Sequence, residues 1–195
     1  MYLMPYAAHE LAWIFIILTS ISVVYGAFGA IWQKDLKYIN AYSSVSHCGL
    51  VLFALLMMNE TATTGAFLQM ISHGLMTALF FALIGMIYGR THTRDVTKMS
   101  GLLKVIPFIS VMYVIAGLAS LGLPGFSGFM AEMQIFVGAF QHPDMFHRVA
   151  TIITVSAIVV TAVYVLRVVG MMLMGPIRNN EFMELEKATW YERVG

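Results

Sequence analysis

Three side chains in this sequence could carry protons through a membrane. Glu132 stands in a long apolar run, shortly after Gly122-Leu123-Pro124-Gly125-Phe126-Ser127-Gly128-Phe129. A carboxylate at membrane depth costs about 2.5–3.5 kcal/mol or more, and such groups mark ion and proton paths. His47 and His73 lie deep in two other apolar runs. An imidazole titrates near neutral pH and can release a proton from one nitrogen while accepting one at the other. Ser43, Ser44 and Ser46 precede His47, while Gln69, Ser72 and Thr77 surround His73. These polar groups are expected to line a path and to hold the water of a relay. Gly122, Pro124, Gly125 and Gly128 predict a broken helix ahead of Glu132. At that depth a break is tolerated only where protein or a water-filled cavity surrounds the freed backbone.

The elements that must position these groups are transmembrane helices. Uncharged runs long enough to cross a bilayer extend from Leu11 to Gln33, Tyr38 to Asn59 and Thr61 to Gly89. Val105 to Phe140 forms a fourth run and Val149 to Gly175 a fifth, with Arg167 inside the fifth. As one straight helix the fourth would be about 54 Å long, against a hydrocarbon core of about 30 Å. It is either two spans or one crossing interrupted at 122–128. With one crossing, Lys34, Lys37, Arg90, Arg94, Lys98, Lys104, Arg178, Lys187 and Arg193 share a side, and Arg148 lies opposite. The positive-inside rule therefore selects the interrupted crossing.

The expected fold is an all-α polytopic bundle with five crossings, the fourth broken, in a single transmembrane domain over 1–195. Met1 is expected outside, and 177–195 forms a cytoplasmic tail or loop. His47 and His73, on antiparallel spans, fall about 14 Å from the inner end and about 18 Å from the outer end, so both sit near mid-membrane. Arg167 can extend to the cytoplasmic face and is read as structural.

Composition agrees with a membrane protein. Hydrophobic residues make up 59% and charged residues 11% of the 195, and the mean hydropathy is +0.80. A soluble domain carries about 25% charged residues. The net charge of +1 gives no sign of a nucleic-acid partner. Cys48 is the one cysteine, so neither a disulfide framework nor an iron-sulfur cluster is expected. No Gly-rich phosphate loop follows a strand, so nothing here is expected to bind NADH or a flavin. No catalytic, cofactor-binding or metal-ligating set is read, and the sixteen methionines are assigned to packing. No Lys or Arg precedes the first apolar run, so a cleavable signal peptide is not expected.

The motifs also carry a family resemblance. Trp32-Gln33-Lys34-Asp35-Leu36-Lys37 leads into Ala41-Tyr42-Ser43-Ser44-Val45-Ser46-His47, followed by Gln69-Met70-Ile71-Ser72-His73-Gly74-Leu75. Arg90-Thr91-His92-Thr93-Arg94-Asp95 and the string from Gly122 to Glu132 complete the series. In order and spacing this resembles the antiporter-like membrane subunit M (chain 4) family of proton-pumping NADH:quinone oxidoreductase, respiratory complex I, over nearly the whole chain. Singly, each motif recurs in Mrp-type sodium/proton antiporters and membrane-bound hydrogenases.

The resemblance implies that His47 and His73 belong to a central hydrophilic axis linking half-channels. It implies that Glu132 is the terminal carboxylate of the second broken helix, exchanging protons with the outer side. The five spans would correspond to the ninth through thirteenth of fourteen. The family's earlier broken helix, central lysines and entry-side carboxylate have no counterpart here, so a fragment or an incomplete gene model is expected. NADH, FMN, iron-sulfur clusters and quinone would sit on other subunits, and the partners would be other membrane-arm subunits and the lipid bilayer. The membrane would be the cell inner (plasma) membrane, with mitochondrial and chloroplast membranes left open.

Two rival classes stand beside the proton path. His47 and His73 could be axial ligands of a haem in an electron-transfer protein. Alternatively, the chain could be a structural subunit that fills a membrane arm. Complex I and the related antiporters, and proton and sodium coupling, are not separated by the residues themselves.

Overall fold

The computed structural model describes residues 5–177 together with 182, 185, 188, 189 and 192. The Met1 end and most of the expected tail lie outside the described residues. Among those described, the chain is helical, in the order α1 (Pro5–Trp32), α2 (Leu36–Leu56), α3 (Glu60–Thr91), α4 (Leu102–Val105), α5 (Pro107–Ser120), α6 (Ser127–Phe140) and α7 (Met145–Leu173). Local chemistry sets several of these boundaries. Asp35 caps α2 by accepting from the Lys37 amide at 2.8 Å, and Asn59 caps α3 by accepting from Ala62 at 2.7 Å. α3 stops at His92, which takes the left-handed conformation with φ 51°.

The fourth apolar run starts later than its composition indicates. The expected start at Val105 falls at the end of the short α4, and the long helical segment begins at Pro107. A residue before proline is disfavoured in the helical region, and Ile106 leaves it, with φ −124° and ψ 67°. Proline itself is well placed in a first helical turn, where its missing N–H is not needed.

Among the described residues, four helices are long and apolar enough to cross a membrane: α1 from His9, α2, α3 and α7. α5 and α6 are each about 21 Å long, too short for a core of about 30 Å. Their contacts with α3 show how they combine. Asn59, the cap of α3, donates to the Gly138 carbonyl at 2.6 Å. Gly65 packs against the backbone of Ala131 and Ile135, and Ser72 bonds Ser127 at 2.8 Å. Phe80 meets Tyr113 edge-on, with ring centroids 5.3 Å apart. Positions rise along α3 while they fall through α6 and then α5. The two half-helices therefore lie end to end along α3 as one interrupted crossing.

The interruption runs from Leu121 to Phe126. Gly122 (φ 59°) and Gly125 (φ 106°) occupy conformations that side chains resist. Gly128, placed by the sequence within the break, instead lies in the first turn of α6 and is buried. A Cβ there would come 3.2 Å from the Ala119 carbonyl, so its smallness brings α6 close to the end of α5.

Small residues also close the bundle elsewhere. A Cβ on Gly26 of α1 would lie 2.7 Å from the Ser46 amide of α2, and one on Gly65 would lie 2.7 Å from the Ile135 amide. Helices in lipid associate through such close backbone approach. Trp13, Ile21, Leu75, Ile152, Val159 and Leu166 point outward, an apolar surface suited to lipid. At the Lys- and Arg-bearing end, the α1–α2 turn is stitched to the segment after α3. Leu36 donates to the Arg94 carbonyl at 3.0 Å, Val96 donates to the Lys34 carbonyl at 2.9 Å, and Arg94 pairs with Asp35 at 3.3 Å.

Candidate functional site

The buried apolar side chains form two separate clusters, and polar residues fall between them on α2, α3 and α7 and across the α5–α6 junction. On α2, Ser43, Ser46 and His47 lie between Ile39 of one cluster and Leu50 of the other. On α3, Gln69 lies between Ala66 and Phe80, and on α7 Thr161 lies between Ala157 and Tyr164. Ser120 and Glu132 fall between Ala116 of α5 and Ile135 of α6. The result is a polar layer held between two apolar plates.

Glu132 is buried at 8% exposure, and its Oε1 lies 3.9 Å from His47 Nδ1. That gap is too long for a direct hydrogen bond. Both residues line a cavity of about 20 Å³ with Val23, Ser46, Thr154 and Ala157. This is room for about one water. The His47 and His73 rings are 5.3 Å apart between centroids and tilted by 41°. Gln69 Nε2 donates to His47 Nδ1 at 3.2 Å, an arrangement that leaves the His47 proton on Nε2. His73 Nε2 is 3.2 Å from the Thr77 hydroxyl.

A second cavity of about 20 Å³ lies toward the basic end, lined by Ile39, Asn40, Ser43, Phe80, Tyr113, Ser120 and Tyr164. Tyr164 donates to, or accepts from, Ser43 at 2.6 Å. Several buried polar atoms of the layer have no protein partner: Asn40 Nδ2, Ser120 Oγ, His47 Nε2 and Gln69 Oε1. Buried polar groups are normally satisfied, so these atoms call for water. On the far side, Thr154 reaches Ser20 at 3.4 Å.

The sequence-predicted residues divide on these facts. His47, His73, Gln69, Thr77, Ser43 and Glu132 belong to the layer, and Gly122 packs on the Glu132 carboxylate. Ser46 is buried beside His47 but donates to the Val23 carbonyl at 2.9 Å, tying α2 to α1. Ser72 ties α3 to the first turn of α6 through Ser127. Ser44 is half-buried and makes no side-chain hydrogen bond. Pro124 and Gly125 are exposed in the turn. Arg167 donates to the Ile31 carbonyl in the last turn of α1, where a cation is favoured by the helix dipole. It serves as a helix-end cap. Tyr164, Ser120 and Asn40 join the site without having been read from the sequence. A haem between His47 and His73 would need far more than the water-sized space at His47.

A family model for the transmembrane region of NADH:quinone oxidoreductase and Mrp antiporters matches residues 1–177. The chain belongs to this family. Among curated relatives, subunit M of NADH-quinone oxidoreductase from Rickettsia bellii is 33% identical over 192 residues, 98% of this chain and 38% of that protein. NAD(P)H-quinone oxidoreductase chain 4 1 of Synechococcus elongatus is 38% identical over 166 residues, 84% of this chain and 31% of the relative. The chain thus spans less than two fifths of the length of these relatives.

The same fold occurs in respiratory complex I from Thermus thermophilus, with TM-score 0.89 and 24% identity over 97% of this chain and 39% of that one. It also occurs in the Mrp complex from Dietzia, with TM-score 0.81 and 23% identity over 87% of this chain and 31% of that one. Membership of the family and the all-α membrane fold are therefore shown for this chain.

Proposed function

We propose that this chain works within an antiporter-like, proton-translocating membrane-arm subunit of an NADH:quinone oxidoreductase. The observation that carries this reading is the buried pair of Glu132 and His47, 3.9 Å apart beside a helix break and a water-sized cavity. Desolvation favours a neutral carboxyl, while a cation nearby favours the carboxylate. His47 supplies that cation whenever it is protonated.

The proton step is local. A proton arriving at His47 through His73 or Ser43 makes both ring nitrogens donors. Gln69 can then turn its amide, because its Oε1 is without a partner and can accept from Nδ1–H. Glu132 gives up its proton toward the Ser46–Thr154 side when His47 is charged, and takes the His47 proton, through one water, when the outer side is closed. Quinone reduction on other subunits, which would hold NADH, FMN and iron-sulfur clusters, drives this alternation. The membrane would be the bacterial inner membrane, with the Met1 end outside and the Lys- and Arg-bearing end in the cytoplasm.

The shared fold also supports a place in a sodium/proton antiporter. A hard cation such as sodium favours a shell of oxygen ligands. Here the carboxylate faces imidazole nitrogens, which favours the proton.

Glu132→Gln in the parent complex is the test. The amide keeps the shape and is easier to bury than a carboxylate, so assembly survives. Proton pumping in sealed vesicles is expected to fall at least tenfold, and coupled quinone reduction with it. Full pumping by this variant would remove Glu132 from the path.

A further inference from the structure

At the end of the bundle opposite the main group of lysines and arginines, the turn between α6 and α7 carries His142 and Asp144, and the first turn of α7 carries His147. Arg148 lies beside them, donating to the His142 carbonyl at 3.3 Å. The ring nitrogens Nδ1 of both histidines lie 3.6 Å from the same oxygen, Asp144 Oδ2. All three donor atoms fall within 4.8 Å of one another. The two rings stack, with centroids 3.6 Å apart and planes 19° from parallel.

Hydrogen bonding does not account for this arrangement. A separation of 3.6 Å is beyond a hydrogen bond, and both Nδ1 atoms are buried without a partner. Asp144 occupies the N-cap position of α7, where an aspartate ordinarily accepts from the first-turn amides. Its side chain makes no such bond. The carboxylate has turned away from the helix toward two imidazoles.

Metal coordination accounts for the convergence of the three donor atoms, with the two imidazoles turning out of their stack so that both Nδ1 lone pairs meet at one point. Around a tetrahedral ion with bonds of about 2.0–2.1 Å, neighbouring ligand atoms stand about 3.3–3.4 Å apart. The two nitrogen–oxygen separations of 3.6 Å are close to that edge. An octahedral ion at the same bond length would bring them to about 3.0 Å, a poorer match. The site opens on a cavity of about 570 Å³, lined also by His9, Trp13, Met57 and Asn59. A fourth coordination position is therefore accessible to water.

We propose that His142, Asp144 and His147 form a three-ligand site for a zinc-class divalent ion, with the fourth position open to the cavity. Both histidines bind through Nδ1 in the neutral form, so uptake releases protons and strengthens with pH. The ion fastens the end of α6, the helix of Glu132, to the first turn of α7.

The experiment uses this chain in detergent micelles, stripped with a chelator and titrated with Co²⁺ and Zn²⁺. One Co²⁺ per chain is expected, with the intense visible bands of tetrahedral cobalt, and stoichiometric Zn²⁺ should displace it. His142→Ala and His147→Ala should each weaken binding at least tenfold, whereas His92→Ala, at the opposite end of the bundle, should bind as the parent does. Thermal unfolding gives a readout independent of colour. Without the ion the variants should match the parent Tm, and only the parent and His92→Ala should gain stability on adding Zn²⁺. Binding or Zn²⁺-induced stabilisation that survives both histidine variants would overturn the site, as would failure of the folded parent chain to bind either ion at micromolar concentration.

Discussion

Glu132 is placed by a residue that has no side chain. A Cβ on Gly122 would overlap Oε2 of Glu132, and the glycine also holds φ 59°. Gly122→Ala therefore acts twice. It adds about 1–2 kcal/mol of left-handed strain and pushes the flexible carboxylate from its place. Gly125 separates the two effects, because at φ 106° nothing lies within 4 Å of its Cβ position. In vesicles containing the parent complex, Gly125→Ala is expected to lower the amount assembled but to keep pumping per complex near normal. Gly122→Ala should lower pumping per complex severalfold. Equal pumping by the two variants would show that Gly122 does not position the carboxylate.

The same scale shows what the sequence could reveal. Glu132, His47 and His73 were legible because charge is scarce in apolar runs and counting residues gives depth. Direction around a helix is a second coordinate, and part of it was available. With successive residues about 100° apart, Ser43, Ser46 and His47 share a face and Ser44 turns away. Tyr164 and Ser120 were not legible, because they enter the site only once α7 and α5 have packed. The metal-type set was present as His142-Pro143-Asp144-Met145-Phe146-His147, a spacing that becomes a site only when Asp144 leaves its capping role.

At the scale of elements, α3 is the rail on which both half-helices are aligned. Gly138 and Gly65 hold α6 against it, and a Cβ at either position would enter the backbone of the neighbouring helix. Gly138→Ala is expected to destabilise the chain by about 1–3 kcal/mol, as over-packing does. Gly74, on the same rail, has nothing within 4 Å of its Cβ position, so Gly74→Ala should be neutral or stabilise by up to about 1 kcal/mol. Thermal unfolding of the two variants side by side checks this, and similar Tm values would refute the close seam. The interruption at Gly122 and Gly125 followed from composition, whereas the later start of α5 followed from Pro107, whose effect on Ile106 outweighs the apolar character of Val105.

For the whole molecule, the described tail residues fold back onto the basic end. Glu192 accepts from Arg90 at 2.6 Å and from the Thr189 amide and hydroxyl, each at 2.8 Å, while Phe182 and Ala188 are buried in the neighbouring apolar cluster. The bond from Arg90, with those from Thr189, brings the Glu192 carboxyl down to about 2. Asp95 is likewise held below its ordinary value, chiefly by the Thr97 hydroxyl. A carboxyl depressed in the folded state contributes stability above its unfolded value, about 4.3 for Glu, and loses it as pH falls through the folded value. Docking of the tail should thus weaken between about pH 4 and pH 2. Pepsin cleavage near Phe182 and Leu185 should rise over that interval in the parent chain, and Glu192→Gln should be cleaved already at pH 4. An acid-independent cleavage pattern would argue against the Arg90–Glu192 clasp.

The junction of α5 and α6 has one more consequence. Phe126, the N-cap of α6, offers no side-chain cap, so the amides of Ser127 and Gly128 at the middle of the bundle lack the partners that a continuous helix would give them, while that of Phe129 bonds the Phe126 carbonyl at 3.2 Å. Their valence must be met by solvent even when Glu132 is neutral. Hydrogen–deuterium exchange should therefore run against depth in this crossing. The amides of Ser127 and Gly128, the farthest from either aqueous phase, should exchange sooner than those of Ile109 or Ile135, so that labelling begins at the centre of the crossing and spreads toward its ends.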